Sequence, residues 1–193
     1  MMRRATTMFA LIGLACSGGT RSETGEPPPS GRYDLGRAAT AAEIARQDID
    51  VGPAGVELPP GSGTFAQGAK VYGTKCASCH GLGGQGMAPF PRLIGRDPRE
   101  GFPFGRDPKA EKTIGNYWPY ATTLFDYVRR AMPQLTPGSL TDDEVYAVTA
   151  WLLARNEVIG ADLVLDAVTL RQVKMPARDR FVPDDRKGGP EVR

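Results

Sequence analysis

Apolar residues recur at helical spacing in three stretches of the chain. Phe65, Ala69, Tyr72 and Cys76 stand three to four residues apart, which predicts a helix over Phe65–Cys79 with one apolar face. Leu124, Tyr127, Val128 and Ala131 predict a second over Thr122–Ala131, stopped before Pro133 because the proline ring bars helical continuation. Val145, Val148, Trp151 and Leu152 predict a third, which Thr141 opens as N-cap, with acids in its first turn, and which runs to about Asn156. Thr40-Ala-Ala-Glu43 has capping-box spacing and predicts a short helix through Arg46. Gly81 to Glu111 is punctuated by glycine and proline, and its Gly95-Arg-Asp-Pro98 and Gly105-Arg-Asp-Pro108 read as two similar turns or as a basic-rimmed docking loop. From Gly160 onward no period is sustained, and Asp184 to Arg193 reads as disordered. No strand pattern emerges, so the expected class is all-α with long loops.

Composition changes this picture little. Glycine and proline supply 24 and 17 of the 193 residues, which suits a folded, loop-rich chain. The formal charge is +2, and Arg3 and Arg4 near the start carry that excess, so nothing argues for a nucleic-acid partner. Residues 1–15 read as a secretory leader: Met-Met-Arg-Arg precedes a short apolar run from Met8 to Ala15, too short to span a bilayer. The Leu14-Ala15-Cys16 ending also resembles a bacterial lipoprotein box, with Gly13 where that box has leucine, which makes Cys16 a candidate for lipidation and membrane tethering. The expected location is periplasmic. Residues 16–32, with Pro27-Pro28-Pro29, read as a flexible tether.

The cysteines and the histidine are more informative. The chain has three cysteines and one histidine, and Cys76, Cys79 and His80 lie together, too few for a structural zinc site. Cys76-Ala-Ser-Cys79-His80 is the attachment signature of one c-type haem, a covalently bound cofactor. Two thiols three apart near a helix end each form a thioether, and the next residue places an imidazole under the iron. A thioredoxin-like pair would want strands around it and no function for the histidine. With one histidine, the sixth iron ligand is methionine, a less usual group or water. Outside the leader stand Met87, Met132 and Met175. Met132, held in a turn before Pro133, is the first choice for the iron and Met175 the alternative. Met87 follows His80 too closely to reach the opposite face easily. The implied layout is an N-terminal arm over residues 33–63, a haem domain over 64–156 and a C-terminal tail over 157–193.

From Thr64 to Asn156 these residues resemble class I cytochrome c, which implies three to five helices around one haem, here with extended arms. The resemblance implies that Gly68 and Tyr72 meet Tyr146 and Trp151 across the first and last helices. Pro91-Arg-Leu93-Ile-Gly95 is similar to the family's Pro-x-Leu-x-Gly segment, so the Pro91 carbonyl is expected to accept from the proximal histidine and Leu93 to cover the haem. A wider likeness runs from about Tyr33 to Arg186. Leu35-Gly-Arg, Asp48-Ile-Asp-Val51, Leu58-Pro-Pro-Gly-Ser-Gly63, the Tyr117–Tyr127 segment and Val173-Lys-Met-Pro176 resemble the monohaem cytochrome subunit of bacterial sulfite dehydrogenases and the related subunit of sulfane dehydrogenase. That family implies no enzyme activity for the chain alone. It implies electrons taken singly from a molybdenum-cofactor subunit and passed to a downstream cytochrome or oxidase. Trp118, Tyr120 and Tyr117 are candidate haem contacts or core aromatics, and Arg92 and Arg96 are candidate propionate partners or solvated loop residues. The competing functions are a general periplasmic carrier and a haem protein with an open sixth position.

Overall fold

The computed structural model describes residues 36–182. The leader, Cys16, the tether and the stretch from Asp184 to Arg193 lie outside the described residues. The chain divides into Met1–Thr40 and Ala41–Arg193, and the five described residues of the first unit, 36–40, are exposed and neither helix nor strand.

The second unit is helical, as expected. Its elements are α1 (Ala41–Gln47), β1 (Ser62–Gly63), α2 (Phe65–Lys75), α3 (Ala77–His80), α4 (Ile114–Tyr117), α5 (Ala121–Ala131), α6 (Asp142–Arg155), β2 (Leu165–Asp166) and α7 (Thr169–Gln172). α2, α4 and α6 begin on the same device: Thr64, Thr113 and Thr141 each accept from the backbone N–H three residues on, and Gln67, Asn116 and Glu144 each return the bond. Two of the first turn's unpaired N–H groups are satisfied this way at each start.

α6 is the spine. Every residue from Val145 to Leu153 is buried, so the helix is covered on all sides. α2 crosses it so closely that a β-carbon at Gly68 would stand 1.9 Å from the Ala147 carbonyl oxygen, and one at Gly63 of β1 would stand 2.1 Å from the Ala147 nitrogen. Beside that crossing the rings of Tyr72 and Trp151 stack with centroids 3.8 Å apart, the contact expected between these helices. Tyr146 lies with its ring 4.5 Å from that of Phe125 on α5 and donates its hydroxyl to Pro59 O at 2.8 Å.

Two expected inward residues are exposed. On α2 the buried residues are Gly68 and Tyr72 while Ala69 faces out, and on α5 Phe125 is buried while Tyr127 is exposed. Each helix is rotated a little from its apolar average because the closest neighbour, α6, sets the inward direction. The tail after Gly160 also differs from the expectation of an aperiodic segment. β2 pairs antiparallel with β1 (Ser62 opposite Asp166, Gly63 opposite Leu165), and Leu165, Leu170, Met175 and Ala177 are buried in or against the core. The N-terminal arm is pinned likewise: Val51 is buried, its N–H donates to Asp126 Oδ1 at 2.8 Å, Arg129 Nη1 donates to Ile49 O at 2.9 Å and Thr122 Oγ1 donates to Pro53 O at 3.0 Å. Among the described residues no helix is long and apolar enough to cross a membrane.

Candidate haem site

α2 ends at Cys76, whose backbone leaves the helical region (φ −123°, ψ −34°), and α3 restarts the helix for one turn. The break separates Cys76 from Cys79 and His80 by a single turn of α3, and all three side chains are half-buried. Beyond His80 the chain leaves through Gly81 at φ +77°, a conformation that favours glycine. Tyr72, buried in α2, donates its hydroxyl to Gly81 O at 2.8 Å and so ties the end of α3 back to α2. Burial, with the neighbouring Cys76 next, pushes the Tyr72 hydroxyl up to about 12, so it stays a donor through the physiological range.

His80 Nδ1 lies 2.9 Å from Pro91 O, the bond the Pro-x-Leu-x-Gly likeness implied. A carbonyl only accepts, so this nitrogen carries the proton and Nε2 is left with its lone pair free for a metal. The segment that presents Pro91 is held in turn. The N–H groups of Leu93 and Ile94 both reach Gly84 O, at 2.8 and 3.1 Å, and Gly86 N–H reaches His80 O at 2.9 Å. From α4, Ile114 N–H donates to Leu93 O at 3.2 Å and the Thr113 hydroxyl donates to Gly95 O. The rings of Phe90 and His80 meet edge to face with centroids 6.1 Å apart. Burial, with Cys79 next, pushes the Cys76 thiol up to about 11.

These residues fit a covalently held haem. Two thiols not joined in a disulfide and an imidazole with one nitrogen already fixed share one helical turn. Cys76, Leu93, Ile94, Trp118 and Met132 pack on the core yet stay partly uncovered, apolar surface of the kind a flat apolar group would complete. Met132 follows the last residue of α5, with its N–H on Val128 O at 3.1 Å. Met175 is only 4% exposed and belongs to the core cluster, whereas Met87 is 51% exposed and pairs by its backbone with Phe90.

The remaining candidates have partners within the protein. Trp118 Nε1 donates to Thr123 Oγ1 at 3.1 Å, and the Tyr120 ring carries the Arg178 guanidinium 5.0 Å above its centroid. Tyr117 belongs to an aromatic cluster with Phe102, Phe104 and Phe181. Arg92 Nε donates to Ile94 O at 2.5 Å and its Nη1 pairs with Glu111, while Arg96 Nη1 donates to Glu157 O at 3.1 Å. Sequence reasoning missed the Tyr72 hydroxyl and Asn156, whose partners lie in other segments.

The family model for cytochrome c matches residues 65–156. A thiosulfate dehydrogenase of Stutzerimonas stutzeri (strain A1501) is 28% identical over 129 residues, which cover 64% of this chain and 38% of that protein, so the chain spans well under half of that relative's length. The crystal structure of the sulfane dehydrogenase SoxCD from Paracoccus pantotrophus contains a chain similar to this one with a TM-score of 0.68 and 42% identity, covering 80% of this chain and 73% of that one.

Proposed function

Because the chain belongs to the cytochrome c family, with haem c as its covalently bound cofactor, we propose that it is the electron-transfer subunit of a molybdenum-dependent sulfite dehydrogenase. The observation that carries the proposal is the extent of the likeness to the sulfane dehydrogenase structure. It covers 80% of this chain, well beyond residues 65–156, and therefore takes in much of the arms. An unspecialised carrier needs only the haem domain.

When bound, haem c supplies a one-electron ferric–ferrous couple. The chain's own residues do the rest. Cys76 and Cys79 hold the group by thioethers, and His80 offers Nε2 to the iron while Pro91 O fixes the ring through Nδ1. Met132, held at the end of α5, would supply the sixth ligand, and Leu93 would line the same site. With His80 and Met132 both given to the iron, the haem would exchange electrons without binding substrate. Sulfite is oxidised on the partner's molybdenum, and electrons leave one at a time toward a downstream cytochrome or oxidase. The chain acts in the periplasm after its leader is removed, tethered through Cys16. A second reading takes thiosulfate as the partner's substrate, as in the name of the Stutzerimonas relative.

The test uses the haem-loaded protein from native membranes with whatever copurifies. Sulfite and thiosulfate are added separately without oxygen, and the visible haem absorption is followed. Rapid reduction by sulfite, absent for the isolated chain, is the expected result. Reduction by thiosulfate alone would transfer the proposal to the second reading. Reduction by ascorbate and by neither sulfur compound would overturn the donor assignment.

A further inference from the structure

We infer that Asn156, at the C-terminal end of α6, is a positioning residue for the iron-binding histidine: it anchors the Pro91–Gly95 segment, and through it the bond that orients His80. Asn156 is 1% exposed, a position where an amide must satisfy its polar atoms internally. It does so completely. Oδ1 accepts from Gly95 N–H at 2.8 Å, and Nδ2 donates to Leu152 O at 2.8 Å and to Leu93 O at 3.3 Å. The first bond and the last reach 61 and 63 residues back along the chain, to positions just after Pro91. Only one bond, to Leu152, belongs to the helix itself.

The segment is therefore clamped from two sides, by Gly84 O on the haem-motif side and by Asn156 on the α6 side. Both clamps act on Leu93, Ile94 and Gly95, and Pro91 stands two residues before the first of these, so they limit the freedom of Pro91 O to leave His80 Nδ1. α4 is built around the same clamp, since a β-carbon at Gly115 would stand 2.6 Å from both Asn156 Oδ1 and Gly95 O. The inference rests on the proposed role of His80 and extends it one layer outward. An imidazole whose Nδ1–H is held by a carbonyl is the more basic ligand and favours ferric iron, so loosening that bond raises the reduction potential. Merely loosened packing would admit water, favour the charged ferric form and lower it. The two causes have opposite signs.

The experiment uses the full-length holoprotein labelled with 15N-histidine, whose one histidine gives a single imidazole to follow. Asn156→Leu removes all three bonds, Asn156→Asp keeps only the acceptor, and Gly115→Ala presses on the clamp from α4. Leu170→Ala on α7, a buried leucine outside the clamp, is the control for lost stability. In the ferrous variants at Asn156 and Gly115 the Nδ1 proton is expected to exchange about fivefold faster, the factor matching one hydrogen bond of ordinary net strength, and the potential to rise in Asn156→Leu and Gly115→Ala, which add no charge. Gly115→Ala and Asn156→Asp keep the test open should Asn156→Leu fail to fold. Wild-type exchange in the variants that fold, a fall in potential in Asn156→Leu or Gly115→Ala, or an equal effect from Leu170→Ala would overturn the inference. A wild-type spectrum without an iron-bound imidazole would overturn the ligand assignment and this inference with it. Failure of sulfite to reduce the haem would overturn the donor alone.

Discussion

Two glycines in α2 offer the same substitution in opposite settings. Gly68 faces α6, and a β-carbon there would lie 1.9 Å from Ala147 O, 2.6 Å from Ala147 C and 2.8 Å from Trp151 Cβ. Gly73 is exposed, with nothing within 4 Å of its would-be β-carbon. Replacing a helical glycine by alanine gains about 0.5–1 kcal/mol of backbone entropy wherever it lies. At Gly73 that gain stands alone. At Gly68 ordinary carbon–oxygen contact begins at about 3.3 Å, so α2 must retreat from α6 by ~1 Å or more. A gap of that size forfeits about a quarter to a half of the dispersion energy of the atoms lining it. The Tyr72–Trp151 stack lies on the same interface and opens with it. Overpacking of this kind costs ~1–3 kcal/mol and at times more.

Gly73→Ala is therefore expected to stabilise the holoprotein by up to ~1 kcal/mol, and Gly68→Ala to destabilise it by ~2 kcal/mol. In a domain of this size the difference corresponds to about 4–12 °C between the two melting temperatures. Guanidinium unfolding of the two holoproteins, followed by far-UV circular dichroism, measures it. The thioethers keep haem attached in both states, so cofactor loss does not enter the comparison. A Gly68→Ala protein at or above the wild-type midpoint would refute the close crossing.

Three further outcomes follow from the same structure. Burial alone would raise the Asp126 carboxyl, but hydrogen bonds from Arg130, at 2.7 and 2.5 Å, and from Val51 N–H outweigh it and hold the group below its usual range. Its stabilising contribution is thus complete above the unfolded value of about 3.9 and is lost as pH falls through the folded one. Asp126→Asn should cost about 1–3 kcal/mol at neutral pH and progressively less in acid, and a difference in urea midpoint that does not change with pH would contradict this. Thr141→Ala, which removes the N-cap of α6, should cost about 1 kcal/mol by the same assay, and an unchanged midpoint would show the capping box to be idle. Met132→Ala should open the sixth position, so that the ferrous haem binds carbon monoxide and the potential falls. Met175→Ala should leave coordination intact and cost about 2–5 kcal/mol as a core truncation, and the opposite pattern in the carbon monoxide difference spectrum would exchange the two roles.

The sequence disclosed what depends on neighbours along the chain. α5 and α6 fall within a residue or so of their expected ends because a threonine cap and a proline stop act locally. Cys76-Ala-Ser-Cys79-His80 was legible for the same reason. The inward faces were less so. Gly68 does not count as apolar in any periodic pattern, and the family resemblance rather than periodicity pointed to it, yet the tightest crossing among the described residues is made there because it has no side chain. The sequence marks Asn156 only as the approximate end of α6, since nothing local says that an N–H 61 residues away and a carbonyl 63 residues away need its amide. The caps at Thr64 and Thr113 had a readable signal in Thr-x-x-Gln and Thr-x-x-Asn that the expected elements did not use.

The arms follow from a signal of a different kind. α6 is apolar around its whole circumference rather than along one stripe, and a helix of that kind must be enclosed. α2 and α5 cannot surround it alone. Part of the cover comes from β1 and β2, whose pairing brings residues 62–63 against 165–166, while Leu170, Met175 and Val51 extend the same core cluster. From sequence, the two arms suited either a cap over the haem edge or a wrap around a partner. The structure turns Val51, Leu165, Leu170, Met175 and Ala177 inward, so these side chains are not available to another subunit. Any surface that the arms contribute to docking must be built from residues left outside, such as Val164, Val168 and Phe181, and their first role is to close the fold around α6.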